Sequence, residues 1–169
     1  MTDEETASLR ATAHPLRLRM LSLLTGTAMS AAEVARELGI THANASYHLR
    51  VLLDAGLIDV EGEERIRGGM AKRYQHHFER SEPRRTSEQL TDEVAAMTQE
   101  LLRRWRANAG RMQTLTDAEL WVTPAVWQEV LEALRRTSLA LHEQAQRPRT
   151  EGTVKVNLTI AGFLMESDS

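Results

Sequence analysis

The chain has 169 residues, 41% of them hydrophobic, enough for one domain or two small ones with a buried core. Its formal net charge of −3 gives no global attraction to nucleic acid, and the absence of cysteine excludes disulfides, thiolate metal sites and cysteine redox sensing. No apolar run reaches the roughly 18 residues that a membrane-spanning helix needs, and the opening MTDEETASLR is acidic where a secretory leader is basic and then apolar. The expectation is a cytoplasmic protein with no membrane partner.

Residues 3 to 13 predict a first helix with Leu9 and Ala13 inward. His14-Pro15 marks a boundary, because proline disfavours helix in the residue before it and suits a first helical position. Leu16, Met20, Leu23 and Leu24 then give one apolar helical face, with Arg17 and Arg19 off its centre and Gly26 as its stop. Thr27 to Met29 is a short link with room for one small β-bridge.

Ser30 to Gly56 predicts two short helices joined by a tight turn. Ser30 and Glu33 have the S-x-x-E form of a capping box. Val34 and Leu38 share a face, Gly39 can take the left-handed conformation that ends a helix, and Thr41 can cap the next one. That second helix turns Ala45, Leu49, Leu52 and Leu53 inward. Its other face shows His42, Asn44, Ser46, Tyr47 and Arg50, a short hydrogen-bonding front of the kind that reads a DNA major groove.

After Gly56 the pattern becomes extended. Leu57, Ile58 and Val60 begin a strand that runs to Ile66, Gly68-Gly69 signals a turn, and a return strand runs from Lys72 to about Phe78. The tip of this hairpin carries Arg65, Arg67, Lys72 and Arg73, which together with Thr41 and Arg50 are candidate phosphate contacts. Residues 1 to 80 hold ten Lys+Arg against eleven Asp+Glu, so DNA binding here requires local clustering of positive charge. Asp59, Glu61, Glu63 and Glu64 make the outgoing strand acidic, and that strand is expected to lean away from a DNA backbone.

Residues 14 to 76 resemble the winged-helix domain of ArsR-type bacterial transcription regulators. The run S-x-H-L-x-x-L-x-x-A-G-L, here Ser46, His48, Leu49, Leu52, Ala55, Gly56 and Leu57, is the most specific part. The resemblance implies a homodimer that binds an operator and usually represses. It places His42, Ala43, Asn44, Ser46 and Tyr47 toward the groove and gives His48 a structural, part-buried role. The cysteine motif of the arsenic-sensing members is missing from AAEVAREL, and the long helix where other members carry interface histidines has none. Metal sensing is therefore not expected, and adjacent His76 and His77 point to opposite faces of a strand. No metal site and no cofactor is assigned.

Residues 79 to 86 read as a linker, dividing the chain into a winged helix-turn-helix domain (1–80) and a dimerisation and effector-binding region (87–166). A long helix from Ser87 to about Asn108 repeats Leu90, Val94, Met97 and Leu101 in a heptad-like seam, widened by Leu102 and Trp105. Leu90, Val94, Met97, Leu101 and Trp105 are the expected dimer interface. Arg103, Arg104 and Arg106 suit the dipole of its last turns. Leu120, Trp121 and Val122 predict a short strand, Thr123-Pro124 opens a helix through Trp127, Val130, Leu131, Leu134, Ser138 and Leu141, and TVKVNLTIAGFLM alternates as a strand. This helix and two strands resemble an appended region of some actinobacterial ArsR-type regulators, through residues such as ELWVTPAVW.

Trp105, Trp121 and Trp127 are candidates for a pocket holding a small apolar effector, against the alternative of core and interface packing. Ser138 and His142 lie one helical turn apart with no oxyanion site nearby, so no enzyme activity is expected. The fold expected is mainly α with a small β component (α+β). The function expected is a homodimeric regulator on double-stranded DNA, with a winged-helix protein-interaction module as the rival.

Overall fold

A computed structural model describes residues 11–66, 69–78, 87–108, 110 and 114–165. Most of the first expected helix, the tip residues Arg67 and Gly68, and the linker 79–86 lie outside the described residues; of that first helix Ala11 and Thr12 are helical and buried.

Helix α1 spans Pro15–Thr25, with proline in its first turn and His14 as N-cap; the His14 Nδ1 accepts from the Leu16 N–H at 3.2 Å. Strand β1 is the two-residue Met29–Ser30. Helix α2, Ala31–Leu38, starts at Ser30 with both halves of the capping box formed. The Ser30 N–H donates to Glu33 Oε2 at 2.8 Å and the Glu33 N–H to Ser30 Oγ at 3.4 Å. Gly39 ends α2 at φ 65°, and the Ile40 N–H returns to the Ala35 carbonyl. Helix α3, His42–Asp54, is capped by Thr41 Oγ1, which accepts from the Asn44 N–H at 3.2 Å. The hairpin is β2, Asp59–Ile66, and β3, Gly69–Gln75. The antiparallel sheet has the order β1-β3-β2, so the small bridge expected near Met29 is a real edge strand against Tyr74 and Arg73.

One core serves these elements. Met20, Leu21 and Leu24 of α1, Met29, Val34 and Ala35, Ala45, Leu49 and Leu52 of α3, and Ile58 close around Ala11. Fully burying each leucine contributes about 1.5–3 kcal/mol, so the back of α3 is fixed by packing rather than by helix propensity.

The second half differs. Helix α4 covers Ser87–Arg106 and helix α5 covers Pro124–Glu143, the latter capped by Thr123 Oγ1 on the Val126 N–H at 3.3 Å. Helix α4 packs on α1, and its buried residues are Glu93, Ala96 and Glu100 rather than the apolar seam. None of the described residues from 114 to 165 is buried. The two strands expected here do not form within one chain: residues 114–123 and 153–165 make no β-ladder. Their alternation is present, but a strand needs an edge to pair with and a face to cover, and a single chain supplies neither. The α+β class stands on the helices and the three-stranded wing sheet. Among the described residues no helix is long and apolar enough to cross a membrane.

Candidate nucleic-acid interface

Helix α3 is two-sided because of where its hydrophobic residues fall. Ala45, His48, Leu49 and Leu52 are buried, and the opposite side leaves His42, Ala43, Asn44, Tyr47 and Arg50 exposed and Ser46 half-buried. Tyr47 is 57% exposed, although its ring meets that of the buried His48 edge-on at 5.1 Å. The Thr41 hydroxyl is committed to its cap, so its phosphate role is limited to what a capping oxygen can still donate.

His48 has the structural place expected of it. Its ring lies 4.8 Å from that of His14, tilted 48°, at the contact between α1 and α3. Burial, and then the neighbouring His14 and Arg17, hold its pKa below the ordinary 6.5. His14 is lowered in the same way by burial and by Arg17. Both rings are thereby kept neutral behind the reading face.

The hairpin sorts its charges in a way composition does not reveal. Arg65 and Lys72 are exposed, and the register sets Lys72 opposite Glu63 and Arg65 opposite Met70. Arg73, one of the expected phosphate contacts, has partners within the chain. Its guanidinium donates to Glu33 Oε2 at 3.1 Å, to Glu64 Oε2 at 2.6 Å and to the Ala28 carbonyl, so it ties the wing to the start of α2. The acids of β2 are divided between partners. Glu64 takes Arg73, while a bulge between Val60 and Gly62 leaves Glu61 without an opposite residue and its carboxylate meets His77 at 2.7 Å.

Glu33 is the residue sequence reading undervalued. Beyond its cap it receives Arg73 from the wing and Arg147 from the second half, the latter at 2.9 Å. Burial opposes its charge, but the Ser30 hydrogen bonds, Arg73 and Arg147 prevail and hold its pKa below the ordinary 4.5. Arg149 pairs with Glu37 at 2.5 Å on the same helix. The capping box was a visible signal for Glu33; nothing local marks Arg147 and Arg149 as its neighbours, 114 and 112 positions away from their partners.

In the second half, the expected interface residues Leu90, Val94, Leu101 and Trp105 are 40–48% exposed, with Met97 half-buried, so the seam of α4 is left open beside the winged domain. The tryptophans do not make a pocket in one chain. Trp121 is 88% exposed, too free of neighbours to be a wall, while Trp127 packs against Gly162. His142 Nδ1 lies 2.7 Å from the Ser138 carbonyl oxygen, one helical turn back on α5.

Residues 12–61 match a family model described as a helix-turn-helix domain. No curated protein matches the chain. The match covers α1 to the start of β2, the segment that builds the two-sided α3, and the adjoining hairpin completes the winged form of the domain. Residues 12–61 therefore carry a helix-turn-helix domain, the architecture of DNA-binding regulators.

Proposed function

We propose that the protein is a homodimeric transcription regulator of ArsR type that represses by occupying a palindromic operator in the cytoplasm. The observation that carries this reading is α3: a buried back and an exposed polar front at the surface of a helix-turn-helix domain. His42, Asn44, Ser46 and Tyr47 read base edges. Arg50, Arg65 and Lys72 hold phosphates, with Thr41 at the helix start and Arg67 at the wing tip. A dimer sets two such helices about one DNA turn, roughly 34–36 Å, apart. The open seam of α4 supports a second copy at Leu90, Val94, Met97, Leu101 and Trp105. Any small apolar effector would meet Trp105, Trp121 and Trp127 only after such an assembly brings walls to Trp121.

The test is a gel shift on the DNA upstream of the protein's own operon. A shift at low salt is expected, with Arg50→Ala and Lys72→Ala each flattening the dependence of log K on log salt by about one unit. A dimeric protein that shifts no DNA at low salt would instead favour a winged helix that docks to protein.

A further inference from the structure

The base of the wing gathers three side chains that DNA reading does not use. Asp59 and Glu61 lie on β2, and His77 follows the end of β3. The His77 Nε2 is 2.7 Å from Glu61 Oε1 and 3.8 Å from Asp59 Oδ2, and one donor atom from each of the three residues falls within 4.8 Å of the others. We propose that this cluster is a binding site for a divalent first-row transition cation of the Zn²⁺ kind, held by the His77 imidazole and the Asp59 and Glu61 carboxylates.

The geometry needs little adjustment. Zinc bonds nitrogen and carboxylate oxygen at about 2.0–2.2 Å in a tetrahedral arrangement, which puts donor atoms roughly 3.4 Å apart. The His77–Glu61 pair opens by less than 1 Å, the His77–Asp59 pair closes by less, and no donor pair, all lying within 4.8 Å, closes by more than about 1.4 Å, within the reach of side-chain torsions at a partly exposed site. Two carboxylates offset the charge of a dication. One imidazole nitrogen favours a transition metal over Mg²⁺ or Ca²⁺, which prefer all-oxygen shells. Three protein ligands leave a position for water, as in open zinc sites.

Two further features prepare the site. The bulge at Glu61 releases it from cross-strand pairing and turns it toward His77. The Asp59 Oδ2 is shielded from solvent, so one donor is already desolvated in place. His76 is not a ligand: its Nδ1 is 2.7 Å from the Leu57 carbonyl and its N–H bonds the Leu24 carbonyl. The residue after His77, Phe78, stacks on His142 of α5 at 3.6 Å and 8°. A bound ion would therefore clamp the wing root where the chain leaves it for the second half. The proposal sets aside the expectation that this chain takes no metal, at a place unrelated to the two family sites it lacks, and it stands or falls independently of DNA binding.

Calorimetric titration of the chelator-treated full chain with ZnCl₂ tests it, with Co²⁺ absorption as a second readout of the ligand field. One ion per chain is expected, with Co²⁺ bands that millimolar Mg²⁺ does not remove. His77→Ala and the conservative Glu61→Gln should each weaken binding about tenfold or more, whereas His42→Ala, an exposed histidine on α3, should leave it unchanged. Absence of saturable binding, or binding that survives both His77→Ala and Glu61→Gln, overturns the proposal.

Discussion

His48 shows how a single side chain can support the exposed face of α3 from behind it. It stands between the exposed Tyr47 and the buried Leu49, against His14, and its Nδ1 is buried. A histidine whose folded pKa lies below its unfolded value binds fewer protons when folded, so the stability it contributes is complete above about 6.5 and is lost as pH falls from there toward the lower folded value. His14 acts in the same direction. Glu33, also lowered, loses its contribution only below its ordinary 4.5. Chemical denaturation between about pH 7.5 and 5 should therefore show stability decreasing with acidification, and His48→Gln should flatten that slope; an unchanged slope would assign it elsewhere. Residue roles of this kind were only partly readable. His48 was visible through its place in a motif, but the loss of Arg73 to Glu33 and Glu64 was not, since a count of basic residues at a hairpin tip does not say which of them face acids.

At the scale of elements, legibility follows the range of the signals. Helices α1 to α3 announce themselves by local chemistry: proline after His14, the Ser30 box, Gly39 at positive φ and the Thr41 cap. These signals act within four residues and each is realised. The alternation of Val154, Val156 and Leu158 is equally plain, yet a strand is a relation between two segments, and 153–165 has no ladder beside it. The seam of α4 is apolar in sequence, but the buried side chains of that helix include Glu93 and Glu100, with Glu100 held by Arg103 at 2.8 Å and Arg104 at 3.4 Å. The capping box offers a direct check of how an element edge supports the rest. Ser30→Ala removes the acceptor for the Glu33 N–H and loosens the carboxylate that both Arg73 and Arg147 engage. Denaturant melts should show a loss of about 0.5–2 kcal/mol, and a loss below that range would mean that the arginines alone hold Glu33.

For the whole molecule, the contrast between halves is the main physical fact. The winged domain has a closed core, whereas Val94, Leu101, Trp105, Trp121, Val154 and Phe163 leave apolar surface open across α4 and the extended segments. Monomeric proteins rarely leave large contiguous patches of this kind in water. A second copy would cover the seam and offer partners to the unpaired segments, which accounts for both departures from the expected strands. If the proposed dimer forms through α4, substituting Val94 by Glu should convert it to monomer in sedimentation experiments while the far-ultraviolet helix signal of the winged domain persists. Dimers that survive Val94→Glu would place the interface away from α4. The second half also reaches the reading head: Arg147 and Arg149 grip α2, and a side chain at Gly26 would meet the Gln146 carbonyl oxygen at 2.7 Å.

The claim on which the rest depends is that α3 reads bases through its exposed front. It is tested most directly by comparing Asn44→Ala with the parent protein on operator DNA and on random DNA at matched salt. The side chain can pair bidentately with adenine, so the substitution should weaken operator binding by about 1–3 kcal/mol and leave random-sequence binding nearly intact. Equal losses on both DNAs would contradict base reading by α3.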